Sequence, residues 1–145
     1  MSLVRSSCVG AVVAVLVLGG CGESDDELSG AKARVAEQAD PICTETRDKV
    51  GDLGGDPAAE RDAVQSAADR LKAITVPGED EEKYKVFTVE IENLAISLED
   101  VVQSRLQNET ARAETALGRA RESNERVKKA AADYGFTECS QGLAS

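Results

Sequence analysis

Past an uncharged amino-terminal run, apolar residues recur three and four positions apart, the period of a helix face. Breakers divide that pattern into four stretches. Gly51, Gly54, Gly55 and Pro57 form one break, Pro77-Gly78 a second, Gln107-Asn108 a softer third, and Gly135 closes the last. The first predicted helix carries Ala33, Val35, Ala36, Ala39, Ile42, Cys43 and Val50. Asp40-Pro41 either lies inside it or marks its start, with Asp40 as cap and Pro41 in the first turn. The second helix opens on Asp56-Pro57 and presents Val64, Ala67, Ala68, Leu71 and Ile74. The third begins at Glu79-Asp80-Glu81-Glu82, where four acids suit the positive end of the helix dipole. Its face is a heptad seam of Tyr84, Phe87, Ile91, Leu94, Leu98 and Val101. Val86 to Ile91 alone alternates like a strand, but the alternation fails after Glu92 while the helical period continues. The fourth runs from Asn108, as cap, to Tyr134. It presents Ala113, Ala116, Leu117, Ala120, Val127, Ala131 and Tyr134, interrupted by Asn124. Four helices with short connections predict an all-α fold, an antiparallel up-down-up-down four-helix bundle.

The amino-terminal run is an address rather than part of that bundle. Between Arg5 and Glu23 no residue is charged, and the apolar centre Val9 to Leu18 is shorter than the 20 or so residues a membrane-crossing helix needs. It ends in Leu18-Gly19-Gly20-Cys21, an aliphatic residue, two small residues and a Cys. This resembles the signal of bacterial lipoproteins. The resemblance implies cleavage before Cys21, a lipid on the Cys21 thiol and attachment to the membrane through that lipid. An uncleaved amino-terminal anchor is the alternative, and either reading puts the rest of the chain outside the cytoplasm. Residues 1–20 are then a signal peptide, 21–30 the lipidated Cys with a flexible acidic tether, and 31–145 the helical domain.

Of the four cysteines, Cys8 falls in the signal and Cys21 takes the lipid. Cys43 and Cys139 remain. In an exported chain a single leftover pair predicts one disulfide. It would close a loop of about 100 residues, for which the loop-entropy argument gives about 4–5 kcal/mol. A reactive or metal-binding thiol pair is the competing reading, but there is no C-x-x-C spacing and no His to complete a site. In the predicted bundle the first helix starts at the end where the fourth finishes, so the bridge and the topology agree. Cys in the first helix, an Ala-rich last helix and the closing Tyr134-Gly135-Phe136-Thr137-Glu138-Cys139 together resemble small uncharacterised lipoproteins of actinobacteria. That resemblance implies the bundle closed by a terminal disulfide, and it implies no activity.

Composition narrows the chemistry. The 145 residues hold 17 Lys+Arg against 27 Asp+Glu, a net charge of −10, with no His and no Trp. Without His there is no His general base and no His-ligated metal, so neither metal nor cofactor is expected. An acidic chain lacking a basic stripe is not built for nucleic acid. There is no G-x-S-x-G, and Gly51-Asp52-Leu53-Gly54-Gly55 lacks the Lys-Ser/Thr that grips phosphate. Asn108-Glu109-Thr110 matches a glycosylation acceptor but sits where a helix cap belongs. No catalytic constellation is left, and the chain reads as a non-enzyme.

One surface feature points to a partner. On the third helix Val89 and Ile96, seven apart, project opposite the core seam, with Val86 beside them. The expectation is a non-enzymatic binding or accessory lipoprotein of the cell envelope, with Val86, Val89 and Ile96 as a candidate surface for an envelope protein. The alternative is a carrier of a small hydrophobic ligand or metal in the bundle interior, where the Ala-rich fourth helix leaves room opposite Tyr84 and Phe87.

Overall fold

The helical periods are realised as α1 (Ser24–Asp52), α2 (Pro57–Lys72), α3 (Glu81–Leu106) and α4 (Thr110–Tyr134), with short 3-10 turns at Gly78–Asp80 and Cys139–Gln141. The computed structural model describes residues 24–76 and 78–144, with residues 24–29 and 79 by their backbone alone. Among the described residues there is no strand. The expected signal peptide (residues 1–20) and Cys21 lie outside the described residues.

Local chemistry explains two helix ends directly. Asp56 accepts a hydrogen bond from the Ala58 amide at 3.0 Å and Pro57 fills the first helical position, so α2 starts as its sequence predicts. Gly135 stops α4 in the left-handed region, at φ 104°, where a side chain would be strained. Two ends differ from expectation, and the choice left open at Asp40-Pro41 is decided. Residues 24–30, read as part of the tether, belong to the first turns of α1. Pro41 lies inside α1, so Asp40 does not cap that helix. Asn108 is not the cap of α4. It sits at φ 58° in the turn before Glu109, a conformation Asn tolerates better than most residues.

Consecutive helices pack on one another, α1 on α2, α2 on α3 and α3 on α4. Ion pairs between Arg61 and Glu99 and between Lys72 and Glu92 join α2 to α3. Arg126 and Glu90 at 2.9 Å, and Arg119 and Asp100 at 2.9 Å, join α3 to α4. These exposed pairs fix register more than they stabilise. The core contains the predicted seam of α3, with Phe87, Ile91, Leu94 and Val101 fully buried. Ala33 and Leu117, expected inward, depart from it: Ala33 is exposed and Leu117 half-buried.

The four aromatic rings form one cluster. Tyr134 stacks on Phe136 at 4.4 Å and meets Tyr84 edge-on at 5.5 Å, while Phe87 lies 4.9 Å from Phe136. Phe136 thus fills space beside Phe87 that the small side chains of α4 leave open. The Tyr84 hydroxyl donates to the Leu71 carbonyl at 2.7 Å. The Tyr134 hydroxyl is buried and makes no hydrogen bond among the described residues.

An orphaned buried hydroxyl costs about 1–3 kcal/mol. Tyr134→Phe is therefore expected to raise stability by about 1 kcal/mol, read as a higher melting temperature. A lower one would mean that the hydroxyl has a partner. Burial, and to a lesser degree the Asp80 carboxylate, pushes the Tyr134 phenol up to about 12, and burial raises that of Tyr84. The folded state therefore holds protons that the unfolded chain releases near pH 10, so stability is full below that pH and falls as pH rises through 10 to 12.

Candidate functional site

Two features stand out, a clamped carboxy-terminal segment and an apolar outer face on α3. The clamp begins with Cys43 on α1 and Cys139, which form a disulfide with Cα atoms 5.1 Å apart. Both cysteines are fully buried. One turn before Cys43, the Asp40 carboxylate accepts from three backbone amides: Thr137 at 3.2 Å, Glu138 at 3.0 Å and Cys139 at 3.2 Å. Three orphan donors of a tight turn thus converge on one carboxylate, the strong, charge-assisted class of hydrogen bond. One turn after Cys43, the Arg47 guanidinium donates to the Glu138 carbonyl at 2.9 Å and to its carboxylate at 2.8 Å. A single stripe of α1, Asp40-Cys43-Arg47, holds the segment by charge, covalent bond and charge again.

The far end of the segment is held from α4. Asn124 accepts from the Leu143 amide at 2.9 Å and donates to the Ala144 carbonyl at 2.7 Å. The residue that interrupts the apolar face of α4 is therefore an anchor for backbone, and Leu143 buries its side chain fully beneath it. Gly142 makes this approach feasible. Its φ is 87°, and a Cβ there would lie 2.7 Å from Lys128 Cε and 2.9 Å from the Asn124 amide atoms. The segment packs on both α1 and α4 and bridges them.

The sequence foresaw the disulfide and missed the rest of the clamp. Asp40 reads as a helix cap beside Pro41, and nothing in the spacing connects it with residues almost 100 positions on. Phe136 and Leu143 lie beyond the last helix, where periodicity no longer assigns an inward face.

On α3 the structure places Val86, Val89 and Ile96 together on the outer face, 49 %, 42 % and 61 % exposed. Leu106, at the end of the same helix, is 72 % exposed. Val86 also lines a surface groove of about 560 Å³ between α3 and α4, with Ala130 on the opposite wall and Lys83, Glu90, Arg126, Lys129 and Asp133 around it. Its charges are largely paired, Arg126 with Glu90 and Lys129 with Asp133. On the α2 side of α3, hydrogen bonding from Gln103 and then the Arg61 guanidinium hold the Glu99 carboxyl below its usual range. Glu60 on α2 moves the other way because it is partly desolvated. The Asp56 carboxylate adds to the rise at Glu60 and that of Asp62 opposes the fall at Glu99, so both shifts follow from local charge, hydrogen bonding and burial.

Among the described residues no group of His, Cys, Asp and Glu side chains could hold a metal ion, and no helix is long and apolar enough to cross a membrane. No known protein family, curated protein or solved structure matches this chain.

Proposed function

We propose that this chain is a membrane-anchored, extracytoplasmic lipoprotein, lipidated at Cys21, whose non-enzymatic helical domain serves as a binding or accessory protein of the cell envelope. The observation that carries the binding role is the placement of its exposed apolar residues. Val86, Val89, Ile96 and Leu106, the large apolar side chains most exposed among the described residues, all lie on α3. Scattered exposed apolar residues are ordinary; Val86, Val89 and Ile96 share the outer side of α3, apart from Leu106 at its far end, and those three are the docking face in this reading. The address rests on Leu18-Gly19-Gly20-Cys21 and on the apolar run before it.

In this reading the domain is an antiparallel up-down-up-down bundle. The cross-helix pairs support it: along α3, Glu90, Ser97 and Asp100 meet Arg126, Ser123 and Arg119 on α4, one series rising as the other falls. Between α2 and α3 the pairs Arg61 with Glu99 and Lys72 with Glu92 run the same way.

The anchor is tested by non-reducing mass analysis of the protein taken from the membrane fraction. Acyl mass on an amino-terminal Cys21 is the expected result, and an unmodified Cys21 would overturn the lipoprotein reading. The surface is tested by changing Val89 and Ile96 to Ser together. Stability should shift by no more than about 0.5 kcal/mol, as for surface sites in general, while capture of the chain's membrane partner is lost. A large fall in melting temperature would make both residues core and remove the proposed face.

A further inference from the structure

We infer that the partner seated on the outer face of α3 is a second copy of this chain, joined in parallel through a short two-stranded seam of Val86, Val89, Asn93 and Ile96. The inference deepens the proposed binding role and rests on it. It starts from spacing. α3 carries two heptad seams. Tyr84, Phe87, Ile91, Leu94, Leu98 and Val101 are buried in the domain. Val86, Val89, Asn93 and Ile96 are spaced three, four and three on the outer side, and the three apolar members are between 42 % and 61 % exposed. α2 and α4 pack on α3, and the exposure of Val86, Val89 and Ile96 shows that this outer side stays in solvent.

In heptad terms Val86 and Asn93 occupy a positions and Val89 and Ile96 d positions. The β-branched residues at both a and d do not by themselves select two strands; the single Asn at an a position does, because a lone polar a residue specifies register and oligomer state, and Asn93 pairs with its own copy only when the helices are parallel. A parallel pair stacks like on like: Val86, Val89 and Ile96 each meet their copy, and Asn93 meets Asn93. Lys85 at g then faces Glu90 of the other copy at e, an opposite-charge pair made twice by symmetry. The antiparallel arrangement that sets Val86 against Ile96 instead sets Val89 against Asn93 and brings Glu92 onto Glu92. Parallel pairing is therefore the one the charges favour.

The flanks limit the seam. Glu82 and Asp100 continue the same face and would meet their own copies, so the contact stops at Val86 on one side and Ile96 on the other. Glu90 already pairs with Arg126, and Asn93 donates to Glu90 at 3.3 Å, so the new contacts extend an existing network rather than meet bare charge. So short a seam between chains of net charge −10 is weak in dilute solution. A two-fold axis along α3 lets both copies point their amino termini the same way, as a shared membrane requires. Confinement there supplies the effective concentration that a weak contact needs.

The test is disulfide trapping in the membrane fraction with the full chain. Val89→Cys and Ile96→Cys are each introduced singly, with Gln65→Cys on the exposed side of α2 as control. Mild oxidation should give covalent homodimer from Val89→Cys and Ile96→Cys well above the Gln65→Cys level. Lys85→Glu added to Val89→Cys should lower the yield several-fold, because it sets Glu against Glu90. Equal yields at all three positions would overturn the inference. So would preferential joining of Val89→Cys to Asn93→Cys in mixed chains, the antiparallel product, or trapping of a different protein alone. Cys21→Ser separates this outcome from the anchor. Trapping at 89 and 96 that disappears with Cys21→Ser supports both ideas. Trapping that persists with Cys21→Ser supports the seam without membrane confinement, and the anchor is then judged separately: an unmodified Cys21 in the parent chain overturns it.

Discussion

The domain without its Cys43–Cys139 bridge is expected to lose about 4–5 kcal/mol, because the bond closes a loop of nearly 100 residues that the unfolded chain would otherwise leave open. For a domain of this size that corresponds to a fall of roughly 10–20 °C in melting temperature. The measurement is thermal unfolding of Cys43→Ala/Cys139→Ala beside the parent chain. The double substitution is the right comparison, since a single one leaves a free buried thiol. The structure adds a second expectation. Asp40, Arg47 and Asn124 hold the carboxy-terminal segment by contacts that do not involve sulfur. The unbridged protein should therefore remain helical at low temperature and keep Phe136 and Leu143 buried. A chain that is unfolded without the bridge would show that those contacts cannot act without the covalent constraint.

The second large effect is expected at Asp40. Asp40→Ala removes the acceptor of the Thr137, Glu138 and Cys139 amides at once. A hydrogen bond to a charged group contributes about 1.5–3 kcal/mol, and bonds that share one acceptor do not add fully, so a loss of about 2–4 kcal/mol is expected. It should appear as a lower denaturation midpoint with an unchanged slope. Asp40→Asn retains one acceptor oxygen and should lose less. Amide exchange places the effect: protection should fall at Thr137, Glu138 and Cys139 in Asp40→Ala and hold in the middle of α3. A variant as stable as the parent would mean that the turn finds water as good an acceptor as the carboxylate.

The two predictions concern one device. A disulfide alone would leave the residues on either side of Cys139 free to turn about it. Asp40 fixes the turn that presents Cys139, and Asn124 seats the end of the segment over Leu143. The result is a domain whose first and last parts are joined, with one side of α3 keeping apolar residues in solvent. That combination suits a small acidic domain that presents a surface, since a chain of this size has little core to spare and gains most from a covalent closure.

How much of this the sequence alone determined can be followed residue by residue. Helix number and the core seam of α3 were legible, because burial on one side of a helix imposes a period of three and four on Tyr84, Phe87, Ile91, Leu94, Leu98 and Val101. The α2 start at Asp56-Pro57 and the α4 stop at Gly135 were legible, because caps and breakers act within a few residues. The bridge between Cys43 and Cys139 was legible from thiol chemistry and the reading of the chain as exported. The outward set of Val86, Val89 and Ile96 was legible because it lies opposite a strong inner seam. Tertiary structure alone decided whether Pro41 began α1 or lay within it, and so freed Asp40 for a turn almost 100 residues away. It gave Asn124 backbone to hold, seated Gly142 against that side chain, and turned Phe136 and Leu143, which follow no helical period, into core. These contacts join residues far apart in the chain, and the local spacing that writes a helix into a sequence carries no record of what the helix will later meet.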